Sequence, residues 1–175
     1  REVGVGKIIL EAGCGTGLVM QRVREFAGAV YGVDLSGGML SQAVKRGLPV
    51  MQGDLTTIPV RDGSVDLVYS FKVLAHVKDI GKAVAEMARV VRPGGKMILE
   101  FYNPVSLRGL VKKLKPPSKV AATAHDEQVF TRFDTLRAVH SYLPAHCAVV
   151  RVLGVRIWTP FALAHKIPVL AASCA

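Results

Sequence analysis

Three acids close three apolar runs in this chain: Glu11 after Ile8-Ile9-Leu10, Asp34 after Ala29-Val30-Tyr31-Gly32-Val33, and Asp54 after Pro49-Val50-Met51-Gln52-Gly53. Behind the first come Gly13, Gly15 and Gly17 at alternate positions, and then Leu18-Val19-Met20-Gln21-Arg22-Val23 opens a helical pattern. Glycine has no Cβ, takes positive φ cheaply and lets a ligand approach the backbone closely. A helix start behind such a turn offers free N–H groups to an anionic or polar ligand group. Carboxylates at later strand ends can accept hydrogen bonds from hydroxyls and amines. Together these features describe a site for a nucleoside-type ligand.

The elements that must position these residues follow from hydrophobic periodicity. Strands are expected over 7–11, 29–34, 49–54, 65–70 and 96–101, with a helix over 17–26 after the glycine turn. Ser36 is an expected N-cap for a helix through Met39, Leu40, Ala43 and Val44, and a short helix is expected over 72–77. Asp79 caps an amphipathic helix carrying Ile80, Val84, Met87, Ala88 and Val91, which Arg92-Pro93-Gly94-Gly95 ends. Strands alternating with helices give a doubly wound, mostly parallel α/β sheet. In such a sheet ligands sit beyond the carboxyl ends of the strands, where Glu11, Asp34 and Asp54 all fall. The alternation lapses after Tyr102 and resumes with a helix over 134–143 and a strand over 148–157, so the residues between read as an insertion after strand five.

Bulk properties set wider bounds. At 175 residues, half of them hydrophobic, the chain reads as one domain with a real core. Cys14, Cys147 and Cys174 show neither metal nor disulfide spacing, which points to a reducing, cytoplasmic setting. No run resembles a signal peptide, and Pro160, His165, Lys166 and Pro168 interrupt the apolar tail. Both ends read as trimmed. A net charge of +10 suggests either an anionic partner or simply a solvated basic face.

Two nucleotide-binding patterns can be set aside. The dinucleotide fingerprint G-x-G-x-x-G needs a glycine where Leu18 stands, and Gly17 comes one residue early. No G-K-[ST] follows the glycines, so a phosphate-cradling Walker loop is absent. An adenosine without a pyrophosphate fits better.

The ordered set of motifs resembles the class I S-adenosylmethionine-dependent methyltransferases. It runs Glu11-x-Gly13-Cys14-Gly15-Thr16-Gly17, Gly32-Val33-Asp34-Leu35-Ser36 with Met39-Leu40, Gly53-Asp54-Leu55 and Asp62-x-Ser64-x-Asp66. It closes with Val73-Leu74-x-His76-Val77 and Arg89-Val90-Val91-Arg92-Pro93-Gly94-Gly95. The resemblance implies a Rossmann-like methyltransferase fold, with residues 1–101 as cofactor-binding half, 102–133 as substrate-side insertion and 134–175 as C-terminal region. It implies that Gly13, Cys14, Gly15 and Gly17 wrap the methionine moiety with Glu11 near its ammonium group. Asp34, beside Leu35, would accept from the ribose hydroxyls. Asp54 and Leu55 would face the adenine, while Ser70 and Phe71 would line the methyl-donor side. Glu11 replaces the commoner aspartate, and Val65 stands where the family often has an aromatic. S-adenosylmethionine would be the cofactor, S-adenosylhomocysteine its product, and no metal is expected.

Plainer roles suit several of these positions: Gly94-Gly95 as a turn, Asp66 ordering a strand edge, Cys14 as small filler, Met39 and Leu40 as core. Candidate bases are His76, His125, Asp126 and Tyr102, with capping or packing an equal reading for His76. Within 103–119, Arg108, Lys112, Lys113, Lys115 and Lys119 accompany Leu107, Leu110, Val111 and Leu114 at helical spacing. Such a helix could hold an anionic substrate, lie on an anionic membrane, or be solvated. A small-molecule, lipid-like or anionic acceptor is the favoured reading, with a cytoplasmic location at the membrane periphery. The alternatives are a catalytically inactive partner subunit of the same fold and a nucleic-acid methyltransferase, the latter disfavoured by an aromatic content of 6%.

Overall fold

The computed structural model describes residues 4–104, 119–121, 124–125, 130–154 and 170–174. Strands β1 (Ile8–Ala12), β2 (Ala29–Asp34), β3 (Val50–Gln52), β4 (Val65–Ser70) and β5 (Val91–Leu99) are joined by helices α1 (Leu18–Val23), α2 (Gly37–Lys45) and α3 (Ile80–Val90). After β5 come β6 (Lys119–Ala121), β7 (Ala124–His125), α4 (Leu136–Tyr142), β8 (Cys147–Val152) and β9 (Leu170–Cys174). The main sheet has the order β3-β2-β1-β4-β5-β9-β8, and its first five strands are parallel. The order reverses between β1 and β4, so the switch point of the sheet lies at the carboxyl ends of those two strands.

Strand alternation divides the core. Leu10, Ala12 and Val68 face one side, where α3 buries Ile80, Ala83, Val84, Met87 and Val90. Asp79 caps that helix by accepting from the Lys82 amide, as its sequence predicts. Ile9, Leu67 and Tyr69 face the other side, with Met20 of α1 and Leu40 and Ala43 of α2.

Three differences from the sequence reading have physical causes. β5 begins at Val91 rather than 96, because Val91 pairs with Val65 and the ladder resumes only at Leu67 with Lys96. Arg92-Pro93-Gly94-Gly95 is therefore a bulge inside a strand, with Gly94 at φ 75°, and not a turn before it. β8 and β9 are antiparallel additions, and β9 lies in a tail whose strand character was not expected. Cys147 is disulfide-bonded, although the spacing of the cysteines shows no disulfide pattern. The basic helix expected within 103–119 falls on 105–118, outside the described residues.

Candidate functional site

The glycine turn is anchored from behind. The amides of Gly13 and Cys14 both donate to the Val33 carbonyl, at 2.8 and 3.0 Å, and Gly17 closes the turn onto the Cys14 carbonyl at 2.9 Å. All three glycines have positive φ, of 81°, 52° and 78°. Their surroundings differ, however. A Cβ on Gly13 would stand 2.4 Å from Val73 and one on Gly17 would stand 2.3 Å from Leu48. On Gly15 the nearest atom would be the Met39 sulfur at 3.6 Å. Gly13 and Gly17 are thus demanded by protein packing, whereas Gly15 borders open space among the described residues.

Asp34 faces that same opening. Its Oδ2 accepts from the Gly15 amide at 2.8 Å and its Oδ1 from the Ser36 amide at 2.9 Å. Each carboxylate oxygen retains a lone pair, so the side chain can still accept two ligand hydroxyls. Leu35 is 67% exposed beside it. Asp54 is exposed at the end of β3, and the Thr56 amide and hydroxyl, at 2.7 and 2.9 Å, hold its carboxyl below the usual range. An open glycine backbone with two oriented carboxylates at adjacent strand ends fits the polar edges of a nucleoside.

Glu11, Leu55 and Ser70 turn inward. The Glu11 carboxylate, 3% exposed, accepts from the Tyr69 hydroxyl at 2.7 Å and from the Met20 amide in the first turn of α1. Burial pushes it up to about 7 against those two donors, with the Asp34 charge adding to the rise. Leu55 packs into the core with Val33 and Ile58, and the Ser70 hydroxyl donates to the Ala12 carbonyl at 2.7 Å with no exposure. Both side chains are buried in this structure. Phe71 is half-buried against Tyr69, ring centroids 5.3 Å apart. Cys14 is buried and its thiol is pushed up to about 12, first by burial and then by Asp34 and Glu11, so it stays neutral.

A second cluster lies beyond β4 and β5. Lys72 adopts φ 60° and donates its amide to Glu100 at 3.0 Å. His76, in a single 3-10 turn, contacts the Phe130 carbonyl through Nδ1 at 2.8 Å, and its ring meets Tyr102 edge-on at 6.4 Å. A carbonyl only accepts, so Nδ1 carries the proton and Nε2 of the neutral ring keeps its lone pair. Arg132 holds the segment that supplies this carbonyl: its amide donates to Ala75 at 2.8 Å, and its guanidinium donates to both oxygens of Asp134 and to the Tyr142 hydroxyl. His125 lies in β7 with its side chain outside the described residues, as is Asp126 entirely.

Arg132, Asp134 and Tyr142 were not read as site residues, because nothing in their spacing marks a bidentate pair. The same holds for the braces under the nucleoside site. Arg89 donates to Glu86, to Asp62 at 2.5 Å, and to the Ile58 and Val60 carbonyls at 2.9 Å, which pins the loop after β3 to α3. Asp66 accepts from the Ile8 amide at 2.7 Å and pairs with Arg92. Asp62 and Asp66 are therefore structural partners of Arg89 and Arg92.

Comparison with known proteins agrees with this geometry. Residues 10–99 match the family model of a methyltransferase domain. A malonyl-[acyl-carrier protein] O-methyltransferase from Yersinia pestis is 36% identical over 104 residues, covering 58% of this chain and 39% of that protein. A demethylmenaquinone methyltransferase from Mycolicibacterium paratuberculosis is 34% identical over 103 residues, covering 58% of this chain and 45% of that protein. The chain thus spans less than half the length of these two relatives. Among solved structures, a methyltransferase of Thermotoga maritima, described as a possible histamine N-methyltransferase, superposes with a TM-score of 0.77 at 21% identity, over 96% of this chain and 81% of that one. The magnesium protoporphyrin IX methyltransferase of Synechocystis, solved with bound S-adenosylhomocysteine, gives 0.73 at 20% identity, over 98% and 75% of the two chains. At those identities the superpositions speak for the fold, while the domain match carries the family. The chain belongs to the class I S-adenosylmethionine-dependent methyltransferases.

Proposed function

We propose that this chain binds S-adenosylmethionine between Gly15 and Asp34 and directs methyl transfer to a small-molecule acceptor that is lipid-like or anionic. The observation that carries the donor half is the Gly15–Asp34 bond beside open space at Gly15. When bound, the donor supplies a sulfonium-activated methyl group. The work left to the protein is alignment and exclusion of water. Asp34 holds the ribose end, Asp54 the adenine amine, and the turn from Gly13 to Gly17 the methionine end.

For the acceptor half, His76 takes the proton of an acidic acceptor at Nε2. The Nδ1 contact with Phe130 supports this, because it sets the tautomer and leaves the lone pair free. Tyr102 and Phe133, ring centroids 6.0 Å apart, provide an apolar wall near it. The malonyl-[acyl-carrier protein] and demethylmenaquinone in the names of the two curated relatives, and the basic stretch Arg108 to Lys119, support an anionic or lipid-like substrate.

The test is transfer of labelled methyl from S-adenosylmethionine to a panel holding a quinol-type polyprenyl lipid and a carboxylated acyl chain. Labelled product from one of them is expected, and His76→Gln should lower kcat by about 10²–10⁴-fold with donor affinity unchanged. A folded protein with donor bound and no product from any acceptor contradicts the enzymatic reading. Unchanged kcat in His76→Gln removes His76 as the base.

A further inference from the structure

We propose that Tyr69 is a positioning residue for the methyl donor, its hydroxyl holding Glu11 in the ionised state beneath the glycine turn so that donor affinity follows the charge on Glu11. The inference rests on the donor site proposed above and deepens it. Glu11 and Tyr69 are register partners on the adjacent strands β1 and β4. Both are 3% exposed, and the hydroxyl donates to Oε2 at 2.7 Å. The carboxylate also accepts from the Met20 amide, so one ionised group ties β1, β4 and the first turn of α1 together just behind Gly13 to Gly17.

The groups that face Glu11 come from every neighbouring element: Tyr69 from β4, the Met20 amide from α1, the Asp34 carboxylate from β2 and the Cys14 thiol from the turn. Burial drives Glu11 towards neutrality and leaves it near 7, so its charge is poised in the physiological range. Tyr69 is pushed far up, first by burial and then by the Glu11 charge, and so remains a donor throughout that range. The core tyrosine could have been a phenylalanine if packing were its whole role. Among the described residues its hydroxyl bonds Glu11, and removing it lets desolvation neutralise the carboxylate. A neutral Glu11 no longer attracts a cationic ligand. S-adenosylmethionine carries a sulfonium charge that S-adenosylhomocysteine lacks, so the donor should feel the change more than the product.

The experiment measures the Kd of S-adenosylmethionine and of S-adenosylhomocysteine by calorimetry between about pH 5.5 and 8.5, for the wild type, Tyr69→Phe and Glu11→Gln. Glu11→Gln retains the ligands' own titration and removes that of Glu11, so it is the reference profile. Lowering the pH protonates Glu11, so wild-type donor affinity should fall relative to Glu11→Gln through a midpoint near 7. Tyr69→Phe should move that midpoint up by about one pH unit, the tenfold that a charge-assisted hydrogen bond is worth. The product's profile should move less. A wild-type profile parallel to that of Glu11→Gln, or an unmoved midpoint in folded Tyr69→Phe, overturns the inference while the donor site stands. A folded wild type that binds neither ligand at any pH overturns the donor site as well. Should Tyr69→Phe fail to fold, carbon NMR of the wild type decides: the Tyr69 Cζ and Glu11 Cδ signals must titrate with one shared midpoint, and separate midpoints refute the coupling.

Discussion

Replacing the glycines of the turn one at a time separates the residue that meets the ligand from those that only pack. Among the described residues Gly15→Ala meets nothing closer than 3.6 Å, so its cost to the fold there is the left-handed backbone alone. That cost is about 1–2 kcal/mol, or roughly 2–8 °C in Tm for a chain of this size. Gly13→Ala carries the same backbone cost and drives a methyl to 2.4 Å from the branched Val73 side chain. Overpacking of that kind adds about 1–3 kcal/mol. Donor binding should rank the two differently: Gly15→Ala remains folded yet loses at least about tenfold in affinity, since its methyl enters the opening beside Asp34. Thermal unfolding followed by circular dichroism gives the stabilities, and calorimetric titration with S-adenosylmethionine gives the affinities. Wild-type affinity in folded Gly15→Ala, or a larger stability loss there than in Gly13→Ala, would refute the assignment of Gly15 to the ligand face.

Two further predictions concern what supports the site. Arg89→Met keeps length and apolar contact but frees Glu86, Asp62 and two carbonyls, so urea unfolding should show a loss of about 2–4 kcal/mol; a loss under about 0.5 kcal/mol would show that the loop after β3 is held by other means. Glu11 is held above its unfolded value of 4.5, so its stabilising effect on the unliganded fold is full below that value and disappears as the pH rises through about 7. Glu11→Gln should therefore lack that decline in Tm between about pH 4.5 and 7, and parallel curves for the two proteins would contradict a buried carboxyl that titrates near 7 in the folded state.

Much of the candidate donor site was legible because its signals are local. An apolar run closed by an acid marks a strand end wherever it occurs, and Glu11, Asp34 and Asp54 each announce themselves that way. The direction in which a side chain points is not local. Ile9 and Glu11 share one face of β1 while Leu10 and Ala12 share the other, and both faces are covered, so the run shows no alternation in polarity. That is why Ser70 and Leu55, expected at the ligand, are found in the interior. The supporting ion pairs were invisible for a related reason. Arg89 reaches Asp62 across 27 residues, and Arg132 reaches Tyr142 across ten, through folds in the chain that spacing does not encode. Gly94-Gly95, read as a turn before strand five, is absorbed here as a bulge inside it, because Val91 already pairs with Val65 before these residues.

Asp34 joins the glycine turn to the proposed ribose contact, so its removal bears most directly on the account. Calorimetric titration of S-adenosylmethionine into the wild type and into Asp34→Ala, with folding checked in both, is the decisive measurement. One site per chain is expected in the wild type. In the variant, affinity should fall by at least about tenfold, since each hydrogen bond to the carboxylate is worth about 1.5–3 kcal/mol. Equal affinity in a folded Asp34→Ala, or no binding by the folded wild type, would contradict a donor site built on Gly15 and Asp34.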